Sequence, residues 1–98
     1  MTFTKDEIDG KITLKLSGML DTANSVEFET IMTEASDATS ELTVDFSGIE
    51  YISSSGLRVL LKIQKKMAAK GTMIICNVNN AVKEVFDLTG FSEILTVK

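Results

Sequence analysis

The stretch from Asp45 to Leu57 constrains the fold of this chain most, because a strand pattern changes there into a helix pattern. Apolar and polar residues alternate over residues 41–46, which is the two-residue period of a strand. Ser47-Gly48 is then predicted to form a tight turn, and a short apolar segment follows it. From Leu57 onward, apolar residues recur at helical spacing. The pattern therefore places three serines and a glycine, residues 53–56, at the start of a helix.

A helix start of this kind has a defined chemistry. Its first backbone N–H groups have no partner within the helix, and the helix dipole makes the position electropositive. Such a position holds an anion well. Two interpretations of the three serines at residues 53–55 follow. Either one hydroxyl caps the helix and nothing more happens, or one hydroxyl receives a phosphoryl group.

The first third of the chain predicts a hairpin and a helix. Asp9-Gly10 is a strong two-residue hairpin signal between strands at Thr2–Ile8 and Lys11–Ser17. The first of these strands is charged, which is typical of a sheet edge. A helix is expected from Thr22 to about Ala35, with Asp21 as its cap.

The remainder predicts alternating strands and helices, with elements and bounds as follows: a strand at Glu41–Phe46, a helix from about Ser54 to Lys70 that ends at a left-handed Gly71, an interior strand at Thr72–Val78, a helix that Asn79-Asn80 opens and Gly90 ends, and a strand at Glu93–Val97. The predicted fold class is therefore α/β. We expect one domain, residues 1–98, with a mixed sheet of about five strands and helices mainly on one face.

Composition argues against several functions. The chain has no histidine and one cysteine, which excludes a Ser-His-Asp triad and metal sites built on these residue types. No glycine-rich phosphate motif is present, so we expect neither an enzyme nor a bound cofactor or metal. A net charge of −4 disfavours nucleic acid as a partner. The chain has no signal peptide pattern and no long apolar run, so we expect a cytoplasmic protein without membrane insertion.

Two helix starts carry the remaining candidate chemistry, one at Asp21 and one at Ser54. If the strands that precede them are parallel neighbours, both starts emerge at the same end of the sheet. A carboxylate beside a hydroxyl can orient that hydroxyl, and it repels an added phosphate. The alternative is that Asp21 and one of the serines are independent helix caps.

The central stretch resembles the signature of STAS domains, and specifically that of bacterial anti-sigma factor antagonists. The residues that fit the signature are Asp45, Ser47, Ile49, Ile52, Ser54, Ser55, Gly56 and Leu57. Two further segments are similar to family sequences: Gly18–Asp21 to the segment before the first helix, and Asn79–Phe91 to a late apolar helix that ends in Thr-Gly-apolar, here Thr89-Gly90-Phe91. The resemblance thus covers nearly the whole chain and implies the STAS fold.

The resemblance also implies a mechanism. A family antagonist binds an anti-sigma factor that is also a serine kinase, and so releases the sigma factor. The kinase phosphorylates the antagonist, the complex dissociates, and a phosphatase resets the cycle. By position the acceptor is Ser54 here, and we expect a monomer when the protein is free. The implied partner-binding residues are Asp21, Ser53, Ser54, Ser55, Gly56 and Arg58.

This sequence departs from the family pattern at one position, since Ser53 replaces the aspartate that precedes the acceptor. The loop thereby loses a negative charge. Similar STAS proteins suggest a second hypothesis, in which the chain is a non-phosphorylated subunit of an ABC lipid-transport complex or of a signalling complex. The same helix would then be a packing surface for a protein partner.

Overall fold

The computed structural model describes the whole chain, Met1–Lys98, as a five-stranded sheet with four helices. The sheet has the order β1-β2-β3-β4-β5; β1 is antiparallel to β2, and the other neighbours are parallel. The predicted mixed α/β sheet is therefore confirmed. The elements in chain order are β1 (Thr2–Ile8), β2 (Lys11–Leu20), α1 (Ser25–Asp37), β3 (Glu41–Ile52), α2 (Ser54–Ala68), β4 (Thr72–Cys76), α3 (Asn80–Thr89), α4 (Phe91–Ile94) and β5 (Thr96–Val97).

The helices lie against one face of the sheet, as expected. In β2 the apolar residues Ile12, Leu14 and Leu16 are buried beneath them, whereas Thr13 and Lys15 between them are exposed. The buried core consists of 23 apolar residues. None of the helices is long and apolar enough to cross a membrane.

The predicted hairpin is also confirmed. Asp9 and Gly10 have φ values of 52° and 79°, so both central residues of the turn are left-handed, as a type I′ turn requires. The turn brings Ile8 opposite Lys11. β1 is exposed along its whole length and forms one edge of the sheet, as its charged sequence predicts.

The predicted turn at Ser47-Gly48 is wrong, because β3 continues through it to Ile52. Pairing with β2 persists past this point, and β3 accommodates one extra residue at each of two register shifts. Gly48 is needed for close approach between the strands. A Cβ atom there would lie 2.5 Å from the Cβ of Ser17.

The start of α1 is also three residues later than predicted. Residues 22–24 form a turn, and Asn24 occupies the N-cap position of α1. Asp21 closes that turn instead of capping the helix. Its Oδ1 accepts the N–H of Asn24 at 3.0 Å, and its own N–H donates to Oδ1 of Asn24 at 2.9 Å.

The segment from the end of α2 to the end of β4 differs from the prediction in three places. Helix α2 ends at Ala68, and Gly71 is not left-handed. A Cβ atom on Gly71 would lie 1.8 Å from the carbonyl oxygen of Ser40, so close packing explains this glycine. β4 ends at Cys76 rather than Val78. It is an interior strand of the sheet, as predicted, and its neighbour β3 is the middle one of the five strands.

The end of α3 follows the prediction, since Gly90 is left-handed with φ of 80°. The strand predicted at Glu93–Val97 is wrong in its first half. Residues Phe91–Ile94 form the short helix α4, and only Thr96–Val97 pair with β4. An apolar residue in a short terminal segment does not distinguish a strand from a helical turn.

Candidate functional site

The ends of β2 and β3 lie side by side, which fixes the position of the two predicted helix starts. Leu20 is the register partner of Ile52, and the N–H of Ser53 donates to the carbonyl oxygen of Leu20 at 2.7 Å. Asp21 follows Leu20 directly, and Ser54 follows Ser53. Asp21 and Ser54 therefore leave the sheet at the same end, as the parallel arrangement predicted.

The three serines have three different environments. Ser53 is the N-cap of α2, and its Oγ accepts the N–H of Gly56 at 3.3 Å. Ser55 is half-buried, and its Oγ lies 3.5 Å from Oγ1 of Thr22 in the loop after β2. Ser54 is the first residue of α2 and is exposed, and its hydroxyl has no hydrogen-bond partner in the chain. Only Ser54 thus presents a free hydroxyl.

Gly56 packs the start of α2 tightly against both strand ends. A Cβ atom at this position would lie 2.8 Å from Cγ1 of Ile52 and 3.3 Å from Cβ of Leu20. A larger residue would push the helix start away from the sheet. Gly56 therefore positions the serines and is not available as a contact surface, since it is itself buried.

The backbone at this helix start has unused donors. The N–H of Leu57 bonds to the carbonyl oxygen of Ser53, and the N–H of Gly56 is taken by the cap. The N–H groups of Ser54 and Ser55 precede the first bonded turn of the helix and have no hydrogen-bond partner in the chain. No acidic residue lies in the first turn of α2, so the helix itself carries no negative charge at the positive end of its dipole.

A loop held by its own hydrogen bonds forms the other side of the site. Asp21 is half-buried and bonded to Asn24, and Nδ2 of Asn24 donates to the carbonyl oxygen of Met19. The Asp21 carboxylate is therefore fixed in place beside the start of α2. It belongs to the same end of the sheet without capping a helix.

A shallow groove runs from the site between α1 and α2, and charged groups line it. The lining residues are Ser25, Glu29, Ser55, Arg58, Val59 and Lys62. Within it, Nζ of Lys62 lies 2.6 Å from Oε2 of Glu29, and further along Lys66 pairs with Asp37. Arg58 is exposed and takes part in none of the chain's three ion pairs.

Sequence reasoning missed several residues at this end of the sheet. Met19 and Tyr51 are register partners, and they are 45% and 46% exposed. Both lie within three residues of a serine or the aspartate of the site, where they add apolar surface. The sequence could have predicted that Met19 and Tyr51 face outward from their strands. It could not have predicted that they are neighbours, because that depends on the register shifts between β2 and β3. Thr22 has no sequence signal, because its contact with Ser55 is purely tertiary.

Asn79 is a further structural residue behind the site. Its Oδ1 caps α3 by accepting the N–H of Val82 at 2.8 Å, as the sequence suggested. Its Nδ2 donates to the carbonyl oxygens of Ile49 and Glu50, at 3.0 and 3.2 Å. The strand segment that leads into the serines is thereby attached to α3. The sequence gives no sign of this second role.

Comparison with known proteins is consistent with this architecture. The STAS domain family model matches residues 2–98 of the chain. BtrV of Bordetella bronchiseptica, provisionally assigned as an anti-sigma factor antagonist, is 32% identical over 99% of this chain and 85% of its own length. A crystal structure of an anti-sigma factor antagonist from Mycobacterium paratuberculosis superposes with a TM-score of 0.88 at 22% identity, covering 98% of this chain and 83% of that one.

The anti-sigma factor antagonist SpoIIAA has the same fold in two chemical states. Its unphosphorylated form matches with a TM-score of 0.80 at 20% identity, covering 99% of this chain and 88% of that one. The phosphorylated form of SpoIIAA from Bacillus matches with a TM-score of 0.73 at 19% identity, covering 99% and 91%. At this level of identity, both structures show a shared fold.

Proposed function

Since the chain belongs to the STAS domain family, we propose that it is an anti-sigma factor antagonist that phosphorylation of Ser54 inactivates. In this proposal it binds an anti-sigma factor that is also a serine kinase, and so frees the sigma factor. The observation that carries the proposal is the free, exposed hydroxyl of Ser54 at the first position of α2. The names of the relatives support it, since BtrV is assigned as an antagonist and SpoIIAA has a phosphorylated form.

The environments of the serines favour Ser54 as the acceptor. Phosphorylation of Ser53 would turn the Oγ that caps α2 into an ester oxygen, which is a weaker acceptor, and Ser55 is half-buried against Thr22. Ser54 has neither constraint. The kinase would transfer the γ-phosphoryl group of ATP to Oγ of Ser54, releasing ADP and the hydroxyl proton. A phosphatase would then hydrolyse the phosphate ester and restore the free hydroxyl.

The free protein is suited to carry a phosphate at this position. The unused N–H groups of Ser54 and Ser55 and the dipole of α2 both favour an anion there. A phosphoryl group adds roughly −1.5 to −2 charges at neutral pH. Modification therefore leaves the fold intact and changes only the surface.

The same charge disrupts docking. At an effective dielectric near 20, two like charges about 5 Å apart repel by roughly 3 kcal/mol. The carboxylate of Asp21 lies at this end of the sheet, so a phosphate on Ser54 would add to charge already present. Each ~1.4 kcal/mol of this repulsion that is felt in the complex weakens binding about tenfold.

The serine that replaces the family aspartate fits the proposal. Serine and aspartate are both good N-cap residues, and Ser53 does cap α2 through its Oγ. The geometry of the loop therefore does not require the aspartate charge. We expect the partner kinase to accept this chain on the basis of its backbone shape.

Incubation with the partner kinase and ATP, followed by intact mass and peptide mapping, tests the proposal. We expect one added phosphoryl group on Ser54 and none in the Ser54→Ala variant, which should still bind the kinase. Ser54→Asp should bind much more weakly. Absence of both modification and kinase binding would contradict the proposal. Recovery of a transporter-type ATPase from cell extract would instead favour the non-phosphorylated subunit.

A further inference from the structure

Arg58 is the chain's single arginine, and its position relative to Ser54 is specific. It follows Ser54 by four residues on α2, and both side chains are exposed. Residues four apart on a helix are neighbours on its surface. Side chains of a helix also point back toward its N-terminus, so the guanidinium of Arg58 can reach the turn that contains Ser54.

Two of the other three cations on α2 already have partners, and the third, Lys65, lies two turns of the helix beyond Arg58. Lys62 pairs with Glu29 at 2.6 Å, and Lys66 pairs with Asp37. Glu29 also lines the groove beside Arg58, but its Oε2 is held by Lys62. Arg58 has no ion-pair partner, and the first turn of α2 offers no acidic residue. Its guanidinium is thus free to bind an anion on the first turn.

We propose that Arg58 is the phosphate-binding residue of the switch and folds back onto the phosphoryl group of Ser54. The inference rests on the proposed function for the identity of the modified serine. A guanidinium donates two parallel N–H groups to phosphate oxygens, which a lysine ammonium cannot do. Arg58 and the N–H groups at the start of α2 then hold the phosphate from two sides.

This arrangement gives Arg58 two states. In the unmodified protein Arg58 lines the groove between α1 and α2, and we expect an acidic group of the partner to bind its guanidinium there. After modification of Ser54 the guanidinium is occupied by the phosphate. Phosphorylation therefore ends docking partly by removing a cation that the partner needs, in addition to repulsion by the new charge.

The test uses protein with phosphoserine inserted at position 54 during translation, so it does not depend on any kinase. Because Arg58 is the single arginine, its Nε–H gives one assignable NMR signal. We expect this signal to shift and to be protected from solvent exchange on phosphorylation. Phosphorylation should also raise Tm by roughly 4–8 °C in a domain of this size.

Three variants make the result specific. Arg58→Gln should lose more than half of the Tm increase, whereas Arg58→Lys should lose part of it. Lys65→Gln is the matched control, because it removes the same charge from an exposed, unpaired position on α2, about 16 Å along the helix axis from Ser54. It should keep the full increase. An unchanged Arg58 signal, or equal increases in Arg58→Gln and Lys65→Gln, would overturn the inference.

The two proposals fail separately. If a kinase modifies Ser54 and the Arg58 signal does not respond to the phosphate, the proposed role of Arg58 is wrong and the proposed function stands. If the inserted phosphoserine engages Arg58 and no anti-sigma factor kinase binds or modifies the chain, the proposed function is wrong.

Discussion

The N–H of Ser53 donates to the carbonyl oxygen of Leu20 at 2.7 Å, which joins the end of β3 to the end of β2. This bond is the last link of the parallel pairing before the chain turns away from the sheet on both sides. The loop at Asp21 and the start of α2 are consequently both anchored to the core, and the contact between Thr22 and Ser55 is the one side-chain hydrogen bond between them. A modification at Ser54 can therefore change the surface without moving the loop.

The cap at Ser53 predicts a stability difference between two substitutions. Ser53→Ala removes the acceptor for the N–H of Gly56 and should lower the free energy of unfolding by about 1 kcal/mol. Ser53→Asp restores an acceptor and adds a favourable charge, so it should be at least as stable as the natural chain. Urea denaturation measures both. Equal stability of Ser53→Ala and the natural chain would mean that the cap contributes nothing.

Gly48 predicts a packing penalty at the bulge. A methyl group there meets Cβ of Ser17 at 2.5 Å and the carbonyl oxygen of Leu16 at 2.9 Å. Gly48→Ala should destabilise the protein by about 1–3 kcal/mol, because β2 and β3 must separate. Glu50→Ala, at an exposed position of the same strand, is the control and should change stability by less than about 0.5 kcal/mol. A Gly48→Ala variant as stable as that control would contradict the packing argument.

A substitution at Asn79 can separate the two roles of this residue, the cap of α3 and the attachment of β3. Asn79→Ser keeps an oxygen that can cap α3 but loses the donors to the carbonyl oxygens of Ile49 and Glu50. We expect a loss of about 1–3 kcal/mol for these unsatisfied carbonyls, with faster amide exchange in residues 49–53. Hydrogen exchange followed by NMR measures the local effect. A loss of protection confined to α3 would show that only the cap matters.

Asp45 predicts an acid-dependent contribution to stability. Partial burial raises its pKa, but the N–H of Ser47, the side chain of Asn77 and the charge of Lys15 outweigh that effect, and the net pKa is lowered. Oδ1 accepts from the N–H of Ser47 at 2.8 Å and from Nδ2 of Asn77 at 3.1 Å. A lowered pKa in the folded state stabilises the protein above the unfolded value of about 3.9, and this stability is lost as pH falls below it.

The Asp45→Asn variant isolates that contribution. It should be less stable than the natural chain at pH 7, and the difference should shrink as the pH falls from about 4 to 2. Asp37, whose pKa is lowered by its hydrogen bond to Lys66, remains in the variant and keeps part of the acid sensitivity. Thermal unfolding across this pH range is the measurement. Parallel loss of stability in both proteins would contradict a role for the Asp45 carboxylate.

The sequence predicted those features of the fold that depend on local rules. The Asp9-Gly10 turn, the charged edge strand β1 and the left-handed Gly90 each follow from the conformational preference of one or two residues. Two of the errors occur where a glycine serves packing between distant segments. Gly48 and Gly71 approach Ser17 and Ser40, and neither contact is visible in the sequence around them.

The candidate site likewise has features that the sequence predicted and features that depend on tertiary contacts. Asp21 and Ser54 lie at the same end of the sheet because two parallel neighbouring strands precede them, so this shared location could be predicted from the element order. The separate environments of the three serines could not, because they depend on which hydroxyl meets Gly56 and which meets Thr22. The role of Asp21 as a cap was wrong because Asn24 replaces it at the helix.

The affinity of the partner kinase for this chain with and without phosphoserine at position 54 tests the central claim most directly. Isothermal titration should show tight binding of the unmodified protein and of Ser54→Ala, and a loss of at least about tenfold for the phosphorylated protein, equivalent to ~1.4 kcal/mol. A phosphorylated chain that binds the kinase as tightly as the unmodified one would contradict the account.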